Sequence, residues 1–398
     1  MTEILCITHK YPPMIGGMEQ QSFELIKGLS NHYKTHVIAY KNGKSKIMWF
    51  RHLKSDIQTT LKENPNIKLI HLNDGAMGIA CLWLKKNTNI PVIVTYHGLD
   101  ITFPLDIFQH KLIPKLSEFD GAICVSQSTQ NECLQRGFNK DKTYTIKNGV
   151  DIRLGDIPFD RDIIAKLQNN YNIDVTGKHI LVTVGRPVKR KGFSWFLKNV
   201  IPHLDSNICL LMIGPMKTEF PFFEKASQAL PHSLSQKVQL MLGLASDARE
   251  VGEQLKLQKN VFHLGSLPYT DLLQVLSLAD LFIMPNIRVE GDIEGFGLVA
   301  LEASMRGTFV LASGIEGITD AVIDGENGYL LPSEDAPAWI DKIHELLSDK
   351  KRLKALSKRG EKFTRKNYSW ELMVNNYKMV FDKYISMSKQ SLSVTKER

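Results

Sequence analysis

Nowhere does the chain reach about 18 uninterrupted apolar residues, so no membrane-spanning helix is expected. Its first residues, Met1-Thr2-Glu3 before the short apolar run Ile4–Ile7, lack the basic start and the small-residue cleavage site of a secretory leader. A cytosolic location is the expectation. Cysteine is sparse and odd in number: Cys6, Cys81, Cys124, Cys133 and Cys209, with no C-x-x-C pair. That excludes a disulfide framework and argues against zinc; apolar surroundings suit reduced core thiols. No G-x-G-x-x-G follows a strand, which removes the dinucleotide fingerprint, and no G-x-x-x-x-G-K-[ST] marks a P-loop. Short repeats and low-complexity tracts are absent. No nucleic-acid-binding module pattern accompanies the positive charge.

What is present is an ordinary globular mixture, 43% hydrophobic and 23% charged, on 398 residues. That length exceeds one compact core and points to two domains. The net charge of +8 is uneven: +6 over residues 1–150, −6 over 151–340 and +8 over 341–398. A basic start and a basic tail flank an acidic middle. Such asymmetry can mark a face for an anionic partner or simply solvated helix faces.

Strand-length apolar runs alternate with amphipathic stretches. Ile4–Thr8, Thr35–Tyr40, Lys68–Leu72, Ile90–Tyr96, Gly121–Ser126 and Thr143–Ile146 read as strands, with helices at Glu19–Ser30 and Phe50–Glu63. The pattern weakens between Asn148 and Gly177, then restarts with Ile180–Val184, Ile208–Ile213, Val261–Leu264, Leu281–Met284 and Phe309–Ala312. Continuous β-branched runs between helices predict parallel sheets covered on both faces. The fold class is therefore α/β, with two doubly wound Rossmann-like domains, over residues 1–165 and 166–368. Residues 369–398 form a basic, helical tail. Ligands of such sheets bind beyond the carboxyl ends of strands, so residues just after strands carry the functional information.

Four such places stand out. The loop after the first strand holds Gly16-Gly17 before a helix, where backbone can approach an anion. Tyr96-His97-Gly98 ends a buried strand and aims a histidine that can bond a sugar hydroxyl or a phosphate. Gly185-Arg186-Pro187-Val188-Lys189-Arg190-Lys191-Gly192 follows the first strand of the second domain; its Arg and Lys charges suit a diphosphate. The most informative stretch is Glu294-Gly295-Phe296-Gly297-Leu298-Val299-Ala300-Leu301-Glu302. Glu294 stands before a helix and Glu302 inside it, where a carboxylate can accept from a diol. The N–H groups of Gly297 to Val299 lie at the positive helix end. Asp160-Arg161-Asp162 has metal-binding spacing but reads better as acids at a helix start, so no metal is expected.

The Glu294–Glu302 stretch resembles the E-x(7)-E motif of the large family of retaining glycosyltransferases with the GT-B fold, family 4, group 1. Gly16-Gly17, Asn148-Gly149-Val150-Asp151, Gly185-Arg186 and Lys191-Gly192 occur in that family's order, and together the matches span roughly residues 1–335. The resemblance implies an acceptor-binding N-domain and a donor-binding C-domain facing a central cleft. The terminal helix, Ser369–Ser386, would cross back to the N-domain. Arg186 and Lys191 would hold the donor diphosphate, Glu302 the ribose hydroxyls, and Glu294 the transferred sugar. Gly295 and Phe296 to Val299, with Gly297 and Leu298 between, would offer backbone contacts to sugar and phosphate. Gly16 and Gly17 would close over the phosphates, and His97 would lie near the sugar. The base would sit near Leu267 and Pro268.

The implied reaction is transfer from a nucleotide-sugar, such as a UDP-sugar, with retention of anomeric configuration. The leaving diphosphate would help remove the acceptor proton, and no cofactor would be needed. The implied acceptor is a glycan or lipid-linked sugar, as in lipopolysaccharide or surface polysaccharide synthesis. Lys44–Lys54, with Trp49 and Phe50, reads as a peripheral membrane-surface segment or as a helix packed on the sheet. Rival functions are a nucleotide-sugar 2-epimerase on the same fold and a non-catalytic binding subunit. Donor isomerisation without acceptor would mark the epimerase. The intact Arg186, Lys191, Glu294 and Glu302 argue against a binding subunit. The sequence leaves the oligomeric state open.

Overall fold

The alternation read along the chain builds two parallel sheets. In the computed structural model, strands β1 (Glu3–Thr8), β2 (Lys34–Ala39), β3 (Ile67–Leu72), β4 (Val92–Tyr96), β5 (Gly121–Cys124) and β6 (Thr143–Thr145) form the first. Strands β7 (His179–Val184), β8 (Ile208–Ile213), β9 (Val261–His263), β10 (Leu281–Met284), β11 (Phe309–Ser313) and β12 (Gly328–Leu331) form the second. The structure describes all residues except 15, 42–44, 217–245 and 397–398, with side chains through Ser388. The residues divide into two units, Met1–Gly149 with Tyr368–Arg398, and Val150–Asn367.

The first sheet has the order β2-β1-β3-β4-β5-β6, with every pairing parallel. Period-two alternation sends neighbouring side chains to opposite faces. Leu5 and Ile7 enter one core with Leu53, Ile57 and Leu72, whereas Ile4 and Cys6 enter another with Leu25, Leu29 and Phe381. The second core is closed by the helix Trp370–Lys396, which lies against the helix Gly17–Leu29. Gly28 meets Val374, and the Tyr377 hydroxyl lies 3.1 Å from Thr95 Oγ1. The chain's last helix thus completes the unit with which the chain begins.

The helix Lys46–Glu63 packs on the first core through Leu53 and Ile57, with Trp49, Phe50 and Leu61 beside them. Trp49 and Phe50 are therefore core-facing rather than membrane-facing, because the same 3.6-residue stripe serves the sheet. Ile47 and Met48 are the large apolar residues that this helix exposes. Lys44 lies outside the described residues. No helix among the described residues is long and apolar enough to cross a membrane.

The second sheet runs β12-β11-β10-β7-β8-β9, again parallel throughout. Chain order reverses between β7 and β10, the switch point at which doubly wound sheets leave a crevice. Trp339, Phe196, Phe309 and Leu281 anchor its core. β12 has no counterpart in the sequence reading. Its four residues follow the turn Asp324–Asn327 and are too few to show a period.

The boundary between the units falls at Gly149/Val150, not at 165/166, which lies inside the helix Asp162–Tyr171. Arg306 is one of the ties. Its guanidinium donates to the carbonyls of Leu154 and Ile157 and ties residues 154–157 to the second unit. Asp160 and Asp162 open that helix: the Asp160 side chain accepts from the Asp162 N–H at 3.0 Å. All five cysteines are buried free thiols.

Candidate active site

At the switch point of the second sheet, β7 ends at Val184 and the chain turns through Pro187 into the short 3-10 turn Lys189–Lys191. Gly192 follows in the left-handed region, φ 66°, and a Cβ there would sit 2.0 Å from the Pro285 carbonyl oxygen. Only glycine lets this turn press against the segment leaving β10. The turn is braced from below by Asp247. That buried carboxylate accepts from the Ser194 N–H and hydroxyl at 3.0 and 2.6 Å, and lies 3.5 Å from Lys189 Nζ.

The pressing turn delivers two cations to one carboxylate. Lys191 Nζ lies 2.7 Å from Glu294 Oε2, and Arg190 Nη1 donates to the same oxygen at 3.0 Å. Arg190 Nε reaches Asp292 Oδ1 at 3.0 Å, and Asn286 Nδ2 donates to Glu294 at 3.2 Å. Burial works against the Glu294 charge, yet Arg190 and Lys191 outweigh it and hold the carboxyl at about 2. Glu294 is ionised at any working pH. Burial lowers Lys191 despite its partner, while Glu294 and Asp292 more than offset the burial of Arg190 and raise it.

The peptide of Glu294 is held as firmly as its side chain. The N–H donates to Glu316 Oε2 at 2.6 Å, and the carbonyl accepts from the Gly317 N–H at 3.0 Å. Gly317 admits this close approach, since a Cβ there would lie 2.0 Å from the Gly295 oxygen. Burial pushes the Glu316 carboxyl up to about 7. The helix Leu298–Met305 then begins, with Phe296 buried behind it. Along this segment Gly295 is half-buried and Gly297 buried against Met284, and Leu298 and Val299 are half-buried.

Glu302 lies on the second turn of this helix and is not part of the Glu294 cluster. Its Oε1 accepts from the Tyr269 hydroxyl at 3.0 Å. Burial pushes the carboxyl up to about 7, against the opposing Tyr269 bond. Leu267 is half-buried on the loop between β9 and the helix Tyr269–Leu278. Arg186 is exposed and belongs to the loop after β7. Arg190, four residues on, is the arginine brought to Glu294. The 3-10 turn carries Arg190 inward beside Lys191.

The first unit has its own crest. His97 follows β4, and its Nε2 donates to the Asn73 carbonyl at 2.9 Å, leaving Nδ1 for other partners. Asp100 accepts from three backbone N–H groups, those of His97, Gly98 and Gly75, at 2.8–3.0 Å. Burial raises its pKa despite them. His9 Nδ1 lies 3.0 Å from the buried Asp74 carboxylate, at the switch point between β1 and β3. Gly16 stands at the start of the helix Gly17–Leu29, close to Glu19, which pairs with Lys10 at 3.2 Å.

Residues 167–363 match the family described as Glycosyl transferases group 1, and residues 15–154 match Glycosyltransferase Family 4. The chain belongs to the family 4, group 1 glycosyltransferases. A glycosyltransferase of Methanocaldococcus jannaschii, MJ1178, is 24% identical over 395 residues, 94% of this chain and 96% of that one. A D-inositol 3-phosphate glycosyltransferase of Corynebacterium urealyticum is 35% identical over 138 residues, 35% of this chain and 30% of that protein. The crystal structure of Anabaena HepE, in complex with UDP and glucose, superposes with a TM-score of 0.69 at 17% identity, covering 96% of this chain and all of that one. That likeness establishes the GT-B fold for this glycosyltransferase.

Arg190, Asp292, Asn286, Glu316 and Tyr269 add to the residues anticipated for this glycosyltransferase. Arg190 stood in the basic run and Asp292 two residues before Glu294, so local signals existed for both. Nothing local marks Glu316 or Tyr269. Each meets its partner across more than twenty residues of chain.

Proposed function

We propose that this glycosyltransferase binds a nucleoside-diphosphate sugar on its second unit and transfers the sugar with retention of configuration, without a metal ion. The observation that supports this most is the convergence of Lys191 and Arg190 on Glu294 beside the helix Leu298–Met305. Two cations and a helix N-terminus form a preorganised field for a departing diphosphate. That field supplies the charge stabilisation that a metal would otherwise bring. HepE, with UDP and glucose, supports the same class of donor on this fold.

In the proposed reaction the bond from the anomeric carbon to the diphosphate oxygen breaks. The acceptor oxygen bonds the same carbon from the same face, and its proton passes to the departing diphosphate. Lys191 and Arg190, with Arg186 on the outer loop, receive the growing negative charge. Glu294, ionised and fixed at its peptide, faces the sugar. Glu302 takes the ribose hydroxyls through its oxygens beside Tyr269, and the base lies toward Leu267. On the first unit, His97 and the Gly16-Gly17 turn serve sugar and phosphate.

The proposed acceptor is a glycan or lipid-linked sugar of a surface polysaccharide or lipopolysaccharide. Exposed Ile47 and Met48 beside Lys46, Arg51 and Lys54 support a peripheral contact with an anionic membrane. Co-sedimentation with anionic vesicles at low salt tests the contact; a protein that stays in the supernatant removes it.

The donor reading is tested by thermal stabilisation with UDP-, GDP- and ADP-sugars. One nucleotide series should raise the melting temperature of the wild type by mass action, and much less that of Arg186→Ala. No shift with any series at saturating concentration would overturn the donor site. Isomerisation of free donor in the absence of acceptor would redirect the assignment to an epimerase.

A further inference from the structure

Glu316 occupies a backbone position that suits glycine. Its φ is 53°, in the left-handed region, where a side chain is rarely placed without cause. The residue stands on the loop between β11 and the short helix Ile318–Ala321. Its carboxylate points at the segment after Asp292, which has no regular secondary structure to satisfy its own peptides. There it accepts the Glu294 N–H at 2.6 Å, while the next residue, Gly317, donates to the Glu294 carbonyl at 3.0 Å. Two successive residues of one loop thus hold both peptide groups of a residue on another.

We propose that Glu316 is a positioning residue for Glu294: it tolerates a strained backbone so that its carboxylate can fix the direction from which Glu294 addresses the transferred sugar. This rests on the donor reading given above. Side-chain contacts from Lys191, Arg190 and Asn286 set where the Glu294 carboxylate ends, all of them on a single oxygen. The Glu316–Gly317 clasp sets where that side chain starts. A reacting group needs both ends fixed, since displacement by about 1 Å costs orders of magnitude in rate.

The test compares Glu316→Gly and Glu316→Gln with wild type in a donor-consumption assay, alongside calorimetric titration with the nucleoside diphosphate. Glycine removes the strain and the side-chain half of the clasp, leaving the Gly317 N–H bond, and its backbone suits φ 53°. Glutamine keeps an acceptor oxygen. Glu316→Gly should bind nucleoside diphosphate with wild-type stoichiometry yet lose about tenfold or more in kcat, with a smaller change in KM. Glu316→Gln should stay within about threefold of wild type, because the carbonyl oxygen replaces the carboxylate as acceptor. In a Glu294→Ala background, Glu316→Gly should add less than about twofold, because the residue it positions is gone.

A Glu316→Gly enzyme within about twofold of wild type in kcat would overturn the proposal. So would a full additional loss on top of Glu294→Ala, which would show that Glu316 acts elsewhere. Reduced binding stoichiometry in Glu316→Gly would reassign the residue to folding. A wild type that binds no nucleotide-sugar would instead remove the donor reading itself, a result separable from all of these.

Discussion

At the crest of the second unit, Lys191, Arg190 and Asn286 crowd onto Glu294, and titrations are displaced in both directions. At the crest of the first unit, Asp100 is filled by three peptide N–H groups and His97 spends one nitrogen on a carbonyl. Both crests lie beyond the carboxyl ends of a parallel sheet. Their chemistry differs. Lys191 and Arg190, already paired with Glu294 and Asp292, suit a ligand that brings negative charge of its own and can share those pairs. Backbone-capped groups, with little charge to offer, suit hydroxyls and shape.

This contrast predicts unequal consequences of mutation. Removing a charge from the second crest should act most on chemistry, with an added cost in stability because the buried Glu294 carboxylate loses a partner. Lys191→Ala should lower kcat/KM by about 10²–10³, the cost of one preorganised donor to developing charge. Steady-state kinetics with the cognate donor checks this, and a loss below about threefold would erase the distinction between the crests.

The backbone beneath those charges should be the more fragile element. Gly192→Ala forces a Cβ against the Pro285 carbonyl in a left-handed turn and should cost about 3 kcal/mol of stability, read by denaturant unfolding. At the first crest the corresponding support is Asp100. Asp100→Asn puts an amide NH2 where an oxygen accepted peptide N–H groups, and should cost about 2 kcal/mol. Its effect on donor affinity should be smaller than that of Lys191→Ala.

Titration sharpens the comparison further. Burial raises Glu302 from 4.5 to about 7, so the neutral acid is the form that folding favours. The stability so gained is full below about 4.5 and is lost as pH rises through about 7. In the proposed donor site the ionised form of Glu302 is the one that accepts from both ribose hydroxyls. Nucleoside diphosphate affinity should therefore rise about tenfold between roughly pH 6 and pH 8, while the free protein becomes less stable over the same interval. Calorimetry at the two pH values measures the first and thermal melts the second. Glu302→Gln should flatten both.

How much of this could be read from the residues follows physical range. Eleven strands are marked by local apolar runs, and β12 escapes because four residues after a turn show no period. Lys191 and Glu294 announce themselves by charge beside glycine at a strand end, and the structure joins them. Arg190 reaches Glu294 from the 3-10 turn that Gly192 permits, a contact that the basic run alone does not single out. Trp49 and Phe50 beside lysines read equally as membrane anchors or core, and the sheet claims them. Glu316 is invisible locally, because its partner is a peptide twenty-two positions earlier on another loop. The unit boundary likewise reflects distant contacts, with Arg306 reaching back about 150 residues to Leu154 and Ile157 and Arg365 to Asp156.

The central claim is that the Lys191–Arg190–Glu294 crest of the second unit receives the donor diphosphate. Calorimetric titration of UDP, GDP and ADP into the wild type and into Lys191→Met tests it most directly. One nucleoside diphosphate should bind the wild type, and Lys191→Met should bind it at least about tenfold more weakly with unchanged stoichiometry. Equal affinity in the two proteins would contradict the assignment and place the diphosphate elsewhere.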